Sequence, residues 1–296
     1  MSLHPGDVPW GASGGAFVPA PDAERNVQVR WLGTAGYELR AQGTTLLIDP
    51  YLTRVGLWPF LTRRIGPDPA AIARHVSAAD AIFVSHSHFD HVLDVPHVAS
   101  MTGARVYGSR STAHLCRSSG VPEPQVVELD ARGQTVEVGP FRVRAIPSEH
   151  SRFLLGRVPY PGEIPSSCEL PLRGSRYRCG QVFGFLIECG DARLYHSGSA
   201  NLIDDAIDVP EVDVLLLCIA GRQATERLAE RFLRRTHPRR VVPMHYDNFF
   251  RPLDAGLRLL PRTAFGRLVD EFHGVDPSVE IQTIDLLGTV ALAARR

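Results

Sequence analysis

His86-Ser87-His88-Phe89-Asp90-His91 places four metal-competent side chains within six residues. Imidazole nitrogens joined by a carboxylate suit zinc, whereas an all-oxygen set would point to magnesium or calcium. Two histidines can fall together on any polar surface, but the full HxHxDH spacing is far more demanding and reads as half of a two-metal site. Just before it, Ala81-Ile82-Phe83-Val84 is a short apolar run that suits a buried strand. The motif therefore begins where a strand ends. Successive side chains there point to opposite sides, and a turn into a following helix can fold Asp90 and His91 back toward the same cavity.

Working outward, other chemistry-bearing residues also stand just after apolar strands. Asp49 follows Leu46-Leu47-Ile48, His150 follows a strand over Phe141 to Ile146, His196 follows Leu194-Tyr195, and His245 follows Val241 to Met244. Loops at one edge of a layered sheet fold can converge on one cleft.

The elements between them alternate in type. Val27 to Leu32, Tyr37 to Leu39 and Thr44 to Ile48 form a β-meander opening. Asp68-Pro69 makes an N-cap and first helical residue for Ala70 to His75, and Arg110 to Ser119 closes against Gly120 as a second helix. The second half repeats the plan, with strands over Val182 to Glu188, Ala192 to Tyr195 and Val212 to Ile219. One helix carries Ala224, Leu228 and Phe232 on a face, another carries Phe265, Leu268, Val269 and Phe272 and ends at Gly274, and Val241 to Met244 and Ile281 to Ala293 complete the strands. Two β-rich halves, each with helices, predict an α/β fold: a four-layer αβ/βα sandwich in which two sheets pack face to face. Residues 1–26, rich in Gly, Pro and Ala, predict an extended or disordered arm, and 27–296 a single domain.

Composition excludes several classes. With 32 basic against 32 acidic residues and a pI near 7.2, no bulk charge draws the chain to nucleic acid or an anionic membrane surface. No leader-like segment and no run of about 18 apolar residues is visible, which predicts a cytoplasmic protein without a membrane span. Five scattered cysteines predict reduced, mostly buried thiols, with Cys168 to Cys179 the one bridge left open. Nothing in the sequence sets an oligomeric state.

Through HxHxDH the chain resembles the metallo-β-lactamase fold superfamily, over about Val27 to Ala293. WLGTAGYEL (31–39), LLIDPYL (46–52), YHSGS (195–199) and MHYDNF (244–249) further resemble the branch that contains L-ascorbate-6-phosphate lactonase and the N-acyl-phosphatidylethanolamine phospholipase D. The resemblance implies that His86, His88 and His150 hold one metal, and Asp90, His91 and His245 the other. It also exposes a departure. Where most hydrolases of the superfamily carry a bridging Asp, this chain has Ser199, a poor ligand, so two zinc ions are expected with the second bound less tightly. Di-iron members place Glu where this chain has His88, which favours zinc, although Mn2+ or Fe2+ occupancy stays open.

The chemistry so implied is hydrolysis by a metal-bound hydroxide, with the water's pKa lowered to about 7. Asp90 would orient that nucleophile as well as ligate. Asp49 would accept the far N–H of a ligand imidazole and fix its tautomer, or serve only as a turn residue before Pro50. His196 either donates a proton or binds substrate, or is a hydrogen-bonded histidine near the cleft. Tyr246 and Asp247 line the pocket or merely pack.

The Arg-rich segment between Ser151 and Gly180, with Arg152 and Arg157 nearest His150, either grips an anionic small-molecule substrate or is a solvated loop. Trp58 to Leu61 supply an apolar wall or cover the core. Three functions follow: a zinc-dependent hydrolase of a small anionic ester, lactone or amide; a phosphodiesterase on phospholipid or nucleotide, needing an apolar groove or base-stacking platform that the sequence does not show; or a metal-binding, non-hydrolytic biosynthetic or regulatory protein, for which Ser199 speaks.

Overall fold

Alternation within single strands builds the layers. In Thr44–Ile48, Leu46 and Ile48 enter one apolar core while Leu47, between them, enters another; Ala81 and Phe83 against Ile82 and Val84 divide in the same way. A strand buried on both faces must lie between two covering layers. The computed structural model that shows this describes residues 27–261 and 263–292. The arm expected over residues 1–26 lies outside the described residues.

Two seven-stranded sheets result. The first runs Thr289–Leu292, Val27–Gly33, Gly36–Ala41, Thr44–Ile48, Ala81–Phe83, Arg105–Gly108, Val126–Glu128, antiparallel through the opening meander and parallel from Thr44–Ile48 onward. The second runs Glu280–Ile281, Arg240–Met244, Val214–Cys218, Ala192–His196, Val182–Cys189, Phe141–Ser148, Gln134–Val138. Ile72, Val98 and Leu115, on the helices Pro69–His75, Val95–Thr102 and Arg110–Ser118, cover the outer face of the first sheet. Phe232, Leu268 and Phe272, on Leu228–Thr236 and Phe265–His273, join the core that the second sheet shares with the first. The expected αβ/βα sandwich is the observed fold.

Local signals explain most boundaries. The Asp68 carboxylate accepts the Ala70 and Ala71 N–H groups, capping the helix that starts at Pro69. Ala224 falls in a single 3-10 turn, Arg222–Ala224, ahead of the helix it was expected to join. The single strand expected over Ile281 to Ala293 is instead two short ones in different sheets. A turn closed by the Gly288 N–H on the Asp285 carbonyl carries the chain from the second sheet to the first, and Ala293 lies outside the described residues.

The insertions that follow Asp49 and His150 hold each other. Arg64–Ile65 pairs with Leu172–Arg173, and the Tyr177 hydroxyl donates to the Ile65 carbonyl. All five cysteines are free, so Cys168 and Cys179 form no bridge, and burial pushes the Cys116, Cys179 and Cys218 thiols up to about 12.

Phe83 joins the sheets, stacking on Tyr107 at 4.8 Å between ring centres and meeting Phe185 of the opposite sheet at 5.6 Å. Phe83→Ala is expected to cost ~3–5 kcal/mol of stability, read as a lower urea midpoint. A loss below about 1 kcal/mol would show that the inter-sheet core collapses freely at this point.

Candidate metal centre

The end of Ala81–Phe83 brings the HxHxDH loop to the edge of the first sheet, and the His88 carbonyl accepts the His91 and Val92 N–H groups to begin the short helix Phe89–Val92. This turn folds Asp90 and His91 back beside His86. His150 arrives two residues after the strand Phe141–Ser148, and His245 directly after Arg240–Met244, in left-handed backbone at φ 62°. The six side chains assemble into two groups: His86, His88 and His150; and Asp90, His91 and His245. Within each group the ligand atoms lie within 4.8 Å of one another.

Ring orientations are set from outside the groups. The Nε2 atom of His88 donates to the Pro159 carbonyl at 2.9 Å, and Nδ1 of His150 to the Ser151 carbonyl at 2.8 Å. Nδ1 of His91 donates to Asp49 at 2.8 Å, and Nδ1 of His86 to the Ser85 hydroxyl oxygen at 3.1 Å. In each ring the other nitrogen is left with its lone pair, and the Nε2 atom of His86 is buried without a hydrogen-bond partner. A buried orphan among convergent imidazoles is what a metal site looks like from the protein side. Asp49, fully buried, also accepts the Ser85 N–H and O–H.

Burial, with the neighbouring rings adding to it, pushes His86 well below its usual range; burial likewise brings His88 down to about 4 and His150 to about 3. Burial would push the Asp90 carboxyl up, but His91 and His245 beside it hold it well below the usual carboxylate range. His91 moves the other way: burial lowers it, yet Asp49 and Asp90 raise it overall.

Several expected residues stand elsewhere. His196 is fully buried, with Nε2 donating to the Ala35 carbonyl at 2.9 Å and Nδ1 accepting the Gly198 N–H at 3.2 Å. It does not line the cavity over the centre, so the catalytic role expected of it is withdrawn. Arg152 and Arg157 are exposed and outside the cavity wall, which corrects the expected anion grip; Phe153, Leu154, Pro159 and Tyr160 of the same segment line it instead. Tyr246 does line it, but its ring packs on Trp31 and Phe265 and its hydroxyl donates to the Ile284 carbonyl. Ser199 lines the cavity, and its hydroxyl oxygen accepts the Ser151 N–H. Gly198 before it has φ 68°, and a Cβ there would lie 2.0 Å from the Phe183 carbonyl oxygen, so only glycine delivers Ser199 to this place.

The sequence missed one feature and disclosed two only in part. Ser85 relays Asp49 to His86, signalled only by its place at the strand end. Phe60, Phe89, Phe249 and Phe250 form an aromatic wall; of the segment Trp58 to Leu61 expected to supply an apolar wall only Phe60 lines the cavity, and Phe249-Phe250 directly after the His245 loop was a further visible sign. Asp247 belongs to a clamp rather than the pocket: it pairs with Arg54 at 2.6 Å and accepts the Thr34 N–H at 2.8 Å, while the Thr34 carbonyl accepts the His245 N–H.

A family profile described as beta-lactamase superfamily domain matches residues 44–246, a span that contains all six clustered side chains. A UPF0173 metal-dependent hydrolase of Anaeromyxobacter dehalogenans (strain 2CP-C) is 30% identical over 239 residues, covering 77% of this chain and 78% of that one. Igni18, a metallo hydrolase from the hyperthermophilic archaeon Ignicoccus hospitalis, superposes with a TM-score of 0.57 at 20% identity, covering 91% of this chain and 100% of that one. CmlA, a diiron β-hydroxylase from Streptomyces venezuelae, superposes with the same TM-score at 16% identity, covering 93% and 55%. A hydrolase and a hydroxylase on one scaffold mean that these structural likenesses speak for the fold alone.

Arg54→Met would leave the Asp247 carboxylate buried without its cation. The expected cost is ~3–5 kcal/mol in urea unfolding, and Asp247→Leu added to it should restore part of that loss. An unchanged midpoint in the single variant would remove the clamp from the account of how His245 is held.

Proposed function

The chain belongs to the beta-lactamase superfamily, and from that premise we propose that it is a metal-dependent hydrolase of a carboxylic ester, lactone or amide. His86, His88 and His150 would hold one ion, and Asp90, His91 and His245 the other. The observation that carries this reading is the pair of donor groups, each within 4.8 Å, with the buried His86 Nε2 left unpartnered. Five imidazoles and one carboxylate fit zinc better than manganese or iron. When bound, such a pair supplies Lewis acidity and a water that ionises near neutral pH.

The chain's own residues do the positioning. Asp90, kept ionised by His91 and His245, can accept a hydrogen bond from a water in the cleft and so orient its lone pair. Asp49 holds the His91 ring in one tautomer, and through Ser85 holds His86 as well. Ser199 supplies no charge, so the second group has a single carboxylate and the weaker hold.

The anionic substrate expected from Arg152 and Arg157 is not part of this proposal, since neither reaches the cavity. A phosphodiester is the second reading, favoured by the aromatic wall that supplies the apolar groove such a substrate needs. The branch that the sequence motifs resemble contains both a lactonase and a phospholipase D, so that resemblance does not choose between the two readings. Residues 27–296 are taken as one domain and the cytoplasmic setting is kept; among the described residues no helix is long and apolar enough to cross a membrane.

The test is zinc content per chain together with turnover of lactones, β-lactams, esters and phosphodiesters. His88→Ala should lose one zinc and lower kcat/KM by ~10³-fold or more, with the urea midpoint little changed; full turnover in that variant would sink the assignment. Ser199→Asp should make the second ion about tenfold harder to remove in a chelator titration. An unaltered titration would take position 199 out of the metal account.

A further inference from the structure

Aromatic rings close on the clustered histidines from three directions. Phe249 meets His245 at 5.2 Å between ring centres, Phe153 lies 6.1 Å from His150, and Tyr160 lies 6.5 Å from His88. Behind Phe249 the wall continues through Phe250, Phe89 and Phe60, with successive centres 4.6, 5.9 and 4.5 Å apart. Four separate stretches of chain contribute these rings, so no local sequence constraint explains their convergence. The cavity they line measures about 1440 Å³, above the ~300–1,000 Å³ usual for small-molecule sites.

The phenylalanine rings of the wall offer a small polar ligand no hydrogen-bonding group; polar side chains, among them Gln223, Arg267 and Asp270, belong to another stretch of the lining. Arg222, the buried cation of the lining, has its guanidinium committed to the Glu271 carboxylate and the Ala264 carbonyl. At the mouth, Phe153 and Leu154 leave 51% and 50% of their surface in water, although each apolar Å² so exposed forgoes ~25 cal/mol. A contiguous apolar surface beside convergent polar groups marks a place that a ligand covers.

We propose that this wall seats the apolar part of the substrate: an aryl group or an alkyl chain of several carbons, attached to the scissile carbonyl. The inference rests on the hydrolase reading above and names its substrate class. Hydrolysis then breaks the acyl C–O or C–N bond; water supplies the new carboxyl oxygen and the proton of the leaving group, and the freed acid retains the apolar group against the rings.

Two measurements on the full chain supplied with zinc test it. The first is kcat/KM for p-nitrophenyl esters from acetate to octanoate, expected to rise about two- to fourfold per added methylene. The second is calorimetric binding of acetate and octanoate, with octanoate expected at least about 60-fold tighter, and still favoured in the metal-free chain. Phe153→Ala and Phe250→Leu should each flatten both trends, near-ultraviolet circular dichroism serving to show that the fold persists. Octanoate selectivity without ester turnover would uphold the apolar seat and sink the hydrolase reading. Turnover with no chain-length trend in rate or binding would do the reverse, and trends untouched by either variant would overturn the assignment to these rings.

Discussion

A single buried carboxylate, that of Asp49, ties the two donor groups of the centre together. It has no contact with water and accepts three hydrogen bonds: the Ser85 N–H, the Ser85 O–H and the His91 Nδ1–H. A carboxylate so desolvated is tolerable only when its lone pairs are met by donors. The HxHxDH loop supplies them, and in doing so is pinned to the end of the neighbouring strand. Because the Ser85 oxygen in turn accepts the His86 Nδ1–H, one carboxylate orients a histidine in each of the two groups. The parallel pairing of Thr44–Ile48 with Ala81–Phe83 makes this possible by ending the two strands side by side.

The same burial sets the protonation of the donors. A metal ligand must offer a lone pair, and a protonated imidazole has none. Desolvation, which brings His88 to about 4 and His150 to about 3, leaves these rings neutral across the physiological range. Asp90 is prepared differently, since His91 and His245 outweigh the cost of burying its charge. His86, His88, His150 and Asp90 are thus deprotonated by their surroundings, whereas Asp49 and Asp90 favour the protonated form of His91, which a metal must displace.

How much of this the sequence disclosed depended on how local each signal was. The six clustered residues were legible because four share the HxHxDH spacing, because His150 and His245 each follow an apolar run that stops, and because the family resemblance grouped them. His196 obeyed the same pattern and misled: it is the last paired residue of its strand, opposite Phe185 and Leu216, so its ring points between the layers instead of over the edge. Arg152 and Arg157 misled because a charge count says nothing about which side of a loop faces inward. Their neighbours Phe153 and Leu154 line the cavity instead, Phe153 lying against His150 and against Gly221 of a distant segment. The Arg54–Asp247 clamp spans 193 residues and leaves no periodic trace. The fold, by contrast, was legible almost throughout, because layers follow from period-two burial within each strand.

Ser199 and the aromatic wall bear on each other. A carboxylate at position 199 would add a second formal charge to the cavity side of the centre; the serine leaves Asp90 as the one anionic donor there. In a wet cleft so sparse a charge set would be largely screened by water. Phenylalanine rings against His245 and His150 occupy one side of each imidazole that water would otherwise take, and so lower the local dielectric there. The wall therefore offsets part of what the missing carboxylate gives up, and it does so by the property that makes it receptive to an apolar ligand. Replacing Phe249 or Phe250 by a small polar residue would wet the centre as well as open the cavity, which ties the strength of the charge set to the chemical character of what the cleft admits.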